Sequence, residues 1–297
     1  MVYVILDLEW NSVYGPKIRG FLNEIIEIGA VMLDENLQEI DSFSALVKPQ
    51  IGKRLQPRTK KLTHISREEL DGGKPLDQAI ADFRIWLGER KHVVLSWGDG
   101  DIRVLLSNTR YHTGKRSLSY IQRYADLQEY FRHRMNTSKA QQIGLAAAGE
   151  LIGLGTAGYD MHRAADDSRF AAACFRAIFE PQDFQKFVRK CDRDFYAELE
   201  HKPRVISDLN SPLVDQRQLY YICRSCGKPA TRQSDWRFAS RGFAAEYACK
   251  HCGARARAMV TFRKMYATVD IKRSSRPCGE QPLRDDANNS AETSPKQ

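Results

Sequence analysis

The chain has 297 residues, with a hydrophobic content of 42%, a charged content of 28% and a formal net charge of +9. This length exceeds the usual size of one domain, so two domains are expected, and the apolar content is sufficient for a core. No stretch has the composition of a transmembrane helix or the pattern of a secretory signal. We therefore expect a cytoplasmic protein with no membrane partner.

The positive charge is concentrated in one part of the sequence. Between Tyr220 and Arg276 there are 13 Lys and Arg residues against three acids, a local net charge of +10. The rest of the chain is therefore close to neutral. Such asymmetry indicates a polyanionic partner, most simply nucleic acid, and the alternative is a basic face kept only for solubility.

The first two hundred residues alternate between strand-like and helix-like segments. Three strands are predicted first, at residues 2–8, 24–33 and 38–47. Their short connections favour antiparallel pairing. A basic loop with prolines follows, and then apolar residues at helical spacing predict an amphipathic helix over residues 75–87.

The alternation continues to about residue 200. The next strand, helix and strand are predicted at residues 92–97, 101–108 and 124–127. Three further helices are predicted at residues 138–152, 165–179 and 182–198. We expect residues 1–200 to form the first domain.

The remaining sequence divides into three parts by composition. Residues 201–219 are polar, contain two prolines and are predicted to be a linker. Residues 220–276 form a basic module with paired cysteines. Residues 277–297 are rich in Asp, Asn, Ser, Pro and Gln, and we expect this tail to be disordered.

A carboxylate pair stands near the end of the first apolar run, where Asp7 and Glu9 are separated by one residue. Because side chains alternate along a strand, both carboxylates point to the same face. Burying two unpaired carboxylates is costly, and divalent cations remove that cost. The pair therefore indicates a metal site, and the alternative is a strand end where both acids meet water.

Two later segments carry acids that could join this pair. The fourth strand ends in Ser-Trp-Gly-Asp-Gly-Asp, in which Asp99 or Asp101 is either a helix N-cap or a metal ligand. His162 precedes Asp166 and Asp167, which open an alanine-rich helix. Acidic residues are also common in the first turn of a helix that binds no metal. The sequence therefore leaves open the alternative that Asp166 and Asp167 only stabilise the start of this helix.

Taken together, these motifs resemble the DEDDh family of 3′–5′ exonucleases. The resemblance covers about residues 1–180 in the family's order: Asp7-x-Glu9, then Trp97-Gly98-x-x-Asp101, then His162 followed five residues later by Asp167. Residues 23–31 are similar to the family's second strand, and residues 61–65 resemble its substrate-side Leu-Thr-x-Ile loop. The Ser-Trp-Gly-Asp-x-Asp form is similar to the branch that holds sporulation-pathway-inhibitor-type exonucleases and RNA-trimming relatives.

The resemblance implies a ribonuclease-H-like α/β fold, a mixed sheet flanked by helices. It also implies two Mg²⁺ or Mn²⁺ ions held by four carboxylates, those of Asp7, Glu9, Asp101 and Asp167. Asp99 and Asp166 do not match the family positions. His162 would be the general base on the attacking water, and nucleoside 5′-monophosphates would be released from a 3′ end.

The substrate side is less well defined by the sequence. Five residues are candidates for shaping or stacking on the terminal nucleotide, namely Trp10, Leu62, Thr63, His64 and Trp97, although such aromatic residues are as often part of a core. The expected partner is single-stranded RNA or DNA, with RNA slightly favoured by the family branch alone. The rival hypothesis is a catalytically retired nucleic-acid- or ribosome-binding protein, which the presence of all five key groups disfavours.

Four of the seven cysteines form two C-x-x-C pairs, Cys223 with Cys226 and Cys249 with Cys252. A glycine follows each pair and permits the tight turn that points both thiolates at one ion. Four thiolates predict one structural Zn²⁺ with no open position, in a zinc ribbon, and the alternative is a set of reduced or redox cysteines.

Aromatic and basic residues interleave around these cysteines. The aromatic residues are Trp236, Phe238, Phe243, Tyr247, Phe262 and Tyr266, and eight Lys or Arg residues lie between or beside them. This composition is typical of a grip on single-stranded nucleic acid. The alternative is that the aromatic side chains form the small core of the ribbon, and we expect each interpretation to hold in part.

Overall fold

The computed structural model describes residues 1–15, 18, 20–137 and 143–278. By internal contacts the chain divides into two units, Met1–Glu200 (unit 1) and His201–Gln297 (unit 2). The tail predicted to be disordered falls, from residue 279 onward, outside the described residues. In the part of the chain that is described, no helix has the length and apolar character needed to cross a membrane.

Unit 1 is built on a six-stranded sheet. Its strands are β1 (Val2–Gly15), β2 (Gly20–Leu33), β3 (Glu39–Leu46), β4 (His92–Ser96), β5 (Arg123–Asp126) and β6 (Arg189–Lys190). The spatial order is β3-β2-β1-β4-β5-β6. Strands β1, β2 and β3 pair in antiparallel fashion, β1–β4 and β4–β5 are parallel, and β6 is antiparallel to β5. The sheet is therefore mixed, as the family resemblance implies.

Helices flank both faces of this sheet. They are α1 (Pro57–Thr63), α2 (Arg67–Asp71), α3 (Leu76–Leu87), α4 (Gly100–Thr113), α5 (Leu127–Arg134), α6 (Leu145–Leu151), α7 (Ala164–Ile178), α8 (Pro181–Phe184) and α9 (Arg193–Glu200). Alternating side chains of β1 reach opposite cores. Leu6 and Leu8 pack with α3 and α4, whereas Tyr3 and Ile5 pack with α5 and α7.

Several elements differ from the sequence prediction. Strands β1 and β2 are longer than predicted and pair as a hairpin up to Gly15 and Gly20. Helices α1, α2 and α5 were not predicted. The single helix predicted over 182–198 is wrong, because the chain forms α8, a 3₁₀ turn, β6 and α9 there. Pairing of residues 189–190 with the edge of β5 overrides the local helical pattern.

Unit 2 is a second, antiparallel sheet. Its strands are β7 (Arg204–Val205), β8 (Thr231–Arg232), β9 (Arg237–Ala239), β10 (Gly242–Ala248), β11 (Arg255–Lys264) and β12 (Val269–Pro277). The main path is β12-β11-β10-β8, with β7 on β11 and β9 on β10. The stretch 201–219, predicted to be a linker, differs from that expectation. It contributes β7, and Ile206, Leu209 and Leu219 pack on the core of unit 2.

Candidate active site

The site forms where β1 extends past the end of its neighbour β4. The parallel pairing of the two strands ends at Ile5 and Leu95, and beyond this point no described residue pairs with that edge of β1 as a strand. The N–H of Leu8 instead donates to Asp101 Oδ1 at 3.0 Å. Asp101 lies in the first turn of α4 and is 5% exposed. The structure thus places the Asp101 carboxylate beside the segment that carries Asp7 and Glu9.

Helix α7 reaches the same place because a glycine faces it. Gly29 on β2 is the register partner of Asp7. A Cβ atom at position 29 would lie 2.1 Å from the carbonyl carbon of Ala164, too close for any other residue. The first turn of α7 therefore packs directly on the strand, and this turn carries the buried Asp167. Gly29 belongs to the second-strand motif, but no local pattern predicts this contact.

His162 lies in a left-handed backbone conformation just before α7, with a φ of 71°. Its N–H donates to Asp167 Oδ2 at 3.0 Å, which fixes the turn relative to the carboxylate. The side chain is exposed. Potential ligand atoms of Glu9, His162 and Asp167 all lie within 4.8 Å of one another.

A buried ion pair that none of the sequence motifs predicts supports this turn. Glu27, 1% exposed on β2, accepts from Arg163 Nη2 at 2.8 Å and from the N–H of Ala164 at 3.1 Å. Glu27 is also the register partner of Glu9. A lone carboxylate inside the apolar run of β2 was the available signal, since a buried charge requires a partner.

Burial, and after it mutual repulsion, raises the pKa values of the clustered carboxylates. Burial, followed by repulsion from Asp101 and Asp167, raises the pKa of Asp7 well above its ordinary value. Burial is the largest cause for Glu9, whose pKa rises to about 8, and for Asp101, whose pKa rises to about 7. Burial also raises the pKa of Asp167 to about 6, against the lowering effect of the His162 N–H. A bound cation relieves such mutual repulsion.

The donor set fits a divalent cation. Asp167 Oδ1 is buried and has no hydrogen-bond partner among the described residues. It therefore has a free lone pair beside Glu9 and His162. Clustered carboxylate oxygens are the ligands that Mg²⁺ and Mn²⁺ prefer, and a neutral imidazole is compatible with them.

The two alternative acids make other contacts. Asp99 is the N-cap residue of α4, as one of the two alternatives predicts, although its side chain makes no capping hydrogen bond. Its carboxylate pairs with Arg103 at 2.8 Å. Asp166 pairs with Arg169 at 3.1 Å on the surface of α7. Both carboxylates are thus held by arginines.

The five substrate-side candidates separate by exposure. Leu62 is 42% exposed and His64 is exposed at the end of α1. Thr63 is buried and its hydroxyl donates to Thr59 O, which is a structural contact. Trp97 packs on Phe131, and its indole N–H donates to Ile143 O. Trp10 is half-buried against the core on the α4 side.

The four paired cysteines form a cluster in unit 2 that fits a zinc ribbon. The Sγ atoms of Cys223 and Cys252 are 3.6 Å apart, and those of Cys226 and Cys249 are 3.4 Å apart. Gly227 and Gly253 have φ values of 70° and 72°, the left-handed conformation that these two turns require. Backbone N–H groups, that of Cys226 first, lower the pKa of the Cys223 thiol to about 6, whereas burial and the neighbouring thiols raise the pKa of Cys226.

The aromatic residues of unit 2 are mostly internal. Trp236, Phe243, Tyr247 and Phe262 are buried in its core, whereas Phe238 and Tyr266 are 41% and 42% exposed. On β11 the exposed Arg255, Arg257 and Arg263 alternate with buried apolar residues. Cross-strand pairing puts Arg276 beside Arg257 on that outer face. The core interpretation thus accounts for four of the six aromatic side chains.

Comparison with known proteins agrees with this architecture. The family model RNase_T, described as "Exonuclease", matches residues 4–175. The fold and the acidic cluster define a ribonuclease-H-like nuclease domain. The chain belongs to the RNase_T exonuclease family.

Curated relatives match only part of this chain. The probable 3′-5′ exonuclease KapD of Bacillus subtilis (strain 168) is 27% identical over 113 residues, which cover 37% of this chain and 53% of KapD. ERI1 exoribonuclease 3 of Mus musculus is 26% identical over 141 residues, which cover 45% of this chain and 41% of the relative. The chain thus spans about half the length, or less, of these relatives.

Solved structures share the fold at low sequence identity. The nuclease domain of 3′hExo, a DEDDh family member bound to rAMP, aligns with a TM-score of 0.54 at 21% identity, covering 64% of this chain and 96% of that domain. Cell-death related nuclease 4 (CRN-4) aligns with a TM-score of 0.51 at 17% identity, covering 75% of this chain and 72% of that chain. At these identities the likeness establishes the fold.

Proposed function

We propose that this protein is a metal-dependent 3′–5′ exonuclease that hydrolyses single-stranded nucleic acid to nucleoside 5′-monophosphates. Residues 1–200 are the catalytic domain in this proposal. One observation supports it above all: carboxylates from β1, α4 and α7 converge on one place, together with His162. Burying such a cluster of carboxylates costs folding free energy without a cation, whereas with bound cations the cluster can support phosphodiester hydrolysis.

Two Mg²⁺ or Mn²⁺ ions held by Asp7, Glu9, Asp101 and Asp167 would supply Lewis-acid stabilisation of the attacking and leaving oxygens. His162 accepts a proton from the attacking water on an imidazole nitrogen. The water oxygen forms a bond to the phosphorus of the 3′-terminal phosphodiester, and the bond from phosphorus to the penultimate 3′ oxygen breaks. That oxygen takes up the proton, which leaves a shortened strand with a free 3′-hydroxyl.

The terminal nucleotide is held by the exposed part of the substrate-side set. Leu62 and His64 are accessible, and Trp10 offers a half-buried ring on the α4 side of β1. RNA is slightly favoured over DNA on the family branch alone. A cytoplasmic location is part of the proposal, because a cluster of four thiols is maintained in a reducing compartment.

The test uses purified full-length protein with Mn²⁺ and matched labelled single-stranded RNA, single-stranded DNA and duplexes. A 5′ label should give a ladder that shortens from the 3′ end, and a 3′ label should give mononucleotide at once. Asp7→Ala should abolish both products. If Asp7→Ala degrades the substrates as fast as the wild type, the assignment is wrong. If the wild type binds the oligonucleotides but does not degrade them, the protein is a catalytically retired nucleic-acid-binding protein.

For unit 2 we propose that a zinc ribbon over residues 220–276 holds the substrate. The basic outer face supports phosphate contacts, since Arg255, Arg257, Arg263 and Arg276 are exposed. Base stacking has less support, because most aromatic side chains of the ribbon are internal. The grip is therefore mainly electrostatic and should depend on salt.

A further inference from the structure

A cavity of about 450 Å³ lies beside the end of β1, beyond Glu9. Its lining includes Asn11 and Tyr14 from the strand and residues 51–54 and Gln56 from the loop before α1. The extra residue of the β1–β2 bulge lies on β2, so alternation along β1 is unbroken. Asn11 and Val13 therefore continue the face that carries Asp7 and Glu9. The cavity extends the site along its own strand.

The loop that forms one wall is fixed to the sheet. Glu24, 3% exposed, accepts the N–H groups of Gln50, Ile51 and Gly52 at 2.6, 2.7 and 2.8 Å. The Asn11 amide then bridges to two further loop residues. It donates to Arg54 O at 3.1 Å and accepts from the Gln56 N–H at 2.8 Å. The wall is therefore preorganised, and three backbone N–H donors stabilise the buried Glu24 carboxylate.

The side chains that remain free in this wall are cationic. Lys53 and Arg54 are exposed, and within the described ranges of the chain neither side chain makes an ion pair or a hydrogen bond. Only their backbone carbonyls are used, as acceptors from Arg67 and Asn11. Two cations that have no ion pair among the described residues, on a loop held beside the end of β1, suit an anionic chain that passes the loop.

Tyr14 lines the cavity from the opposite face of β1, and its ring lies beside that of Phe21. Tyr14 and Phe21, cross-strand partners on the β1–β2 hairpin, are 71% and 61% exposed. Their ring centroids are 6.0 Å apart. Rings this exposed contribute little to the core, whereas a ring beside cations is the composition that holds successive bases of a single strand.

We propose that this cavity is an upstream subsite for single-stranded nucleic acid, in which Lys53 and Arg54 contact phosphates and Tyr14 stacks on a base. The proposal rests on the proposed exonuclease function and adds a second contact point for its substrate. Glu9 and Tyr14 are five residues apart, about 17 Å along a strand. At about 3.4 Å per stacked nucleotide this is roughly five nucleotides, and fewer for an extended strand. A dinucleotide is too short to reach Tyr14.

The experiment compares Tyr14→Ala and the double variant Lys53→Ala/Arg54→Ala with the wild type on single-stranded oligonucleotides of increasing length. For a long oligonucleotide we expect kcat/KM to fall about tenfold in each, through KM, because one stacked base or two phosphate contacts are lost. The loss should shrink to less than about twofold for a dinucleotide. The matched control, Lys91→Ala/Lys115→Ala, removes two exposed cations on other surfaces of unit 1.

Binding gives a readout that does not depend on turnover. In the Asp7→Asn background, anisotropy with a labelled long oligonucleotide should show the same losses, and Lys53→Ala/Arg54→Ala should reduce the salt slope by about 1.4. Equal losses for short and long substrates, or no loss in either assay, would overturn the subsite. Absence of hydrolysis by the wild type would instead refute the exonuclease proposal and leave the binding assay to decide the subsite.

Discussion

The backbone N–H of Leu8 donates to Asp101 Oδ1 at 3.0 Å across 93 residues of sequence. Leu8 lies between Asp7 and Glu9, at the point where β1 no longer pairs with β4. The same contact therefore closes an open strand edge and brings a third carboxylate to the pair. The contact lowers the pKa of Asp101, although burial raises it more.

This contact makes Asp101→Asn an informative variant. The amide oxygen can still accept from Leu8, so the melting temperature should stay close to that of the wild type. The lost charge should reduce nuclease activity by at least about a hundredfold. Substitution of residues that only support a metal ligand can already lower activity by about that factor. Asp99→Asn is the control, because the Asp99 carboxylate pairs with Arg103. Equal activity of the two variants would exclude Asp101 from the site.

The Glu27–Arg163 pair should position the His162 turn. Glu27→Gln leaves Arg163 without its anionic partner, and we expect the free energy of unfolding to fall by about 3 kcal/mol. Denaturant titration measures this change. The nuclease kcat should fall more than KM rises, because the turn carries the proposed base.

The control for this pair is Glu39→Gln, which breaks a 3.6 Å pair with Arg169 in which both side chains are 39% exposed. Exposed pairs of this kind contribute less than about 1 kcal/mol. If Glu27→Gln is no more destabilised than Glu39→Gln, the buried pair does not hold the turn.

The raised carboxylate pKa values predict an inverse dependence of stability on pH. Without added Mg²⁺ or Mn²⁺, the folded state keeps protons on Glu9, Asp101 and Asp167 up to about pH 8, 7 and 6. The unfolded chain loses them near pH 4. Stability should therefore decrease as pH rises from about 4 to 8. The melting temperature, measured over this range, should fall toward pH 8 and recover with Mn²⁺.

The Asp7→Asn variant checks the origin of this effect. Removing one buried charge relieves its neighbours, so the variant should melt above the wild type at pH 8 and should respond less to Mn²⁺. The Mn²⁺ concentration for half-maximal activity of the wild type should also fall as pH rises, because ligands bind metal in their deprotonated form. A flat melting profile would show that the cluster is not electrostatically strained.

The cysteine cluster should hold one structural Zn²⁺. Cys226→Ser should lose the metal, measured by atomic emission, and unit 2 should become sensitive to proteolysis. Activity on a short oligonucleotide should change by less than about threefold, since a four-thiolate site has no open position. Cys278→Ser is the control, because Cys278 is exposed and outside the cluster. If all activity is lost together with the zinc, the zinc ion has a catalytic role.

The outer face of unit 2 should bind phosphates. Arg257→Ala/Arg276→Ala removes two neighbouring cations on that face, and the salt slope of binding should fall by about 1.4 for a single strand. Arg217→Ala/Arg232→Ala is the control, because these arginines pair with Asp215 and Asp235. The same salt slope in both double variants would remove the support for an electrostatic grip.

The sequence by itself determined the features that depend on near neighbours. Asp7-x-Glu9 places two carboxylates on one face through strand alternation, and the two C-x-x-C pairs with their glycines form the cluster that their spacing predicts. The mixed sheet and the exonuclease family also followed from ordered motifs. Helical periodicity predicted one helix over residues 182–198, and this was wrong because residues 189–190 pair with the edge of β5 instead.

Only the tertiary structure decided the contacts between distant segments. The Leu8–Asp101 hydrogen bond, the Glu27–Arg163 pair and the close approach of α7 to Gly29 join residues 93 to 136 positions apart. No local pattern encodes which of several acids ends up beside β1, because the choice depends on where β4 stops and how closely a helix can pack. Burial then separates Asp167, with a free lone pair, from Asp166, which is bound by Arg169.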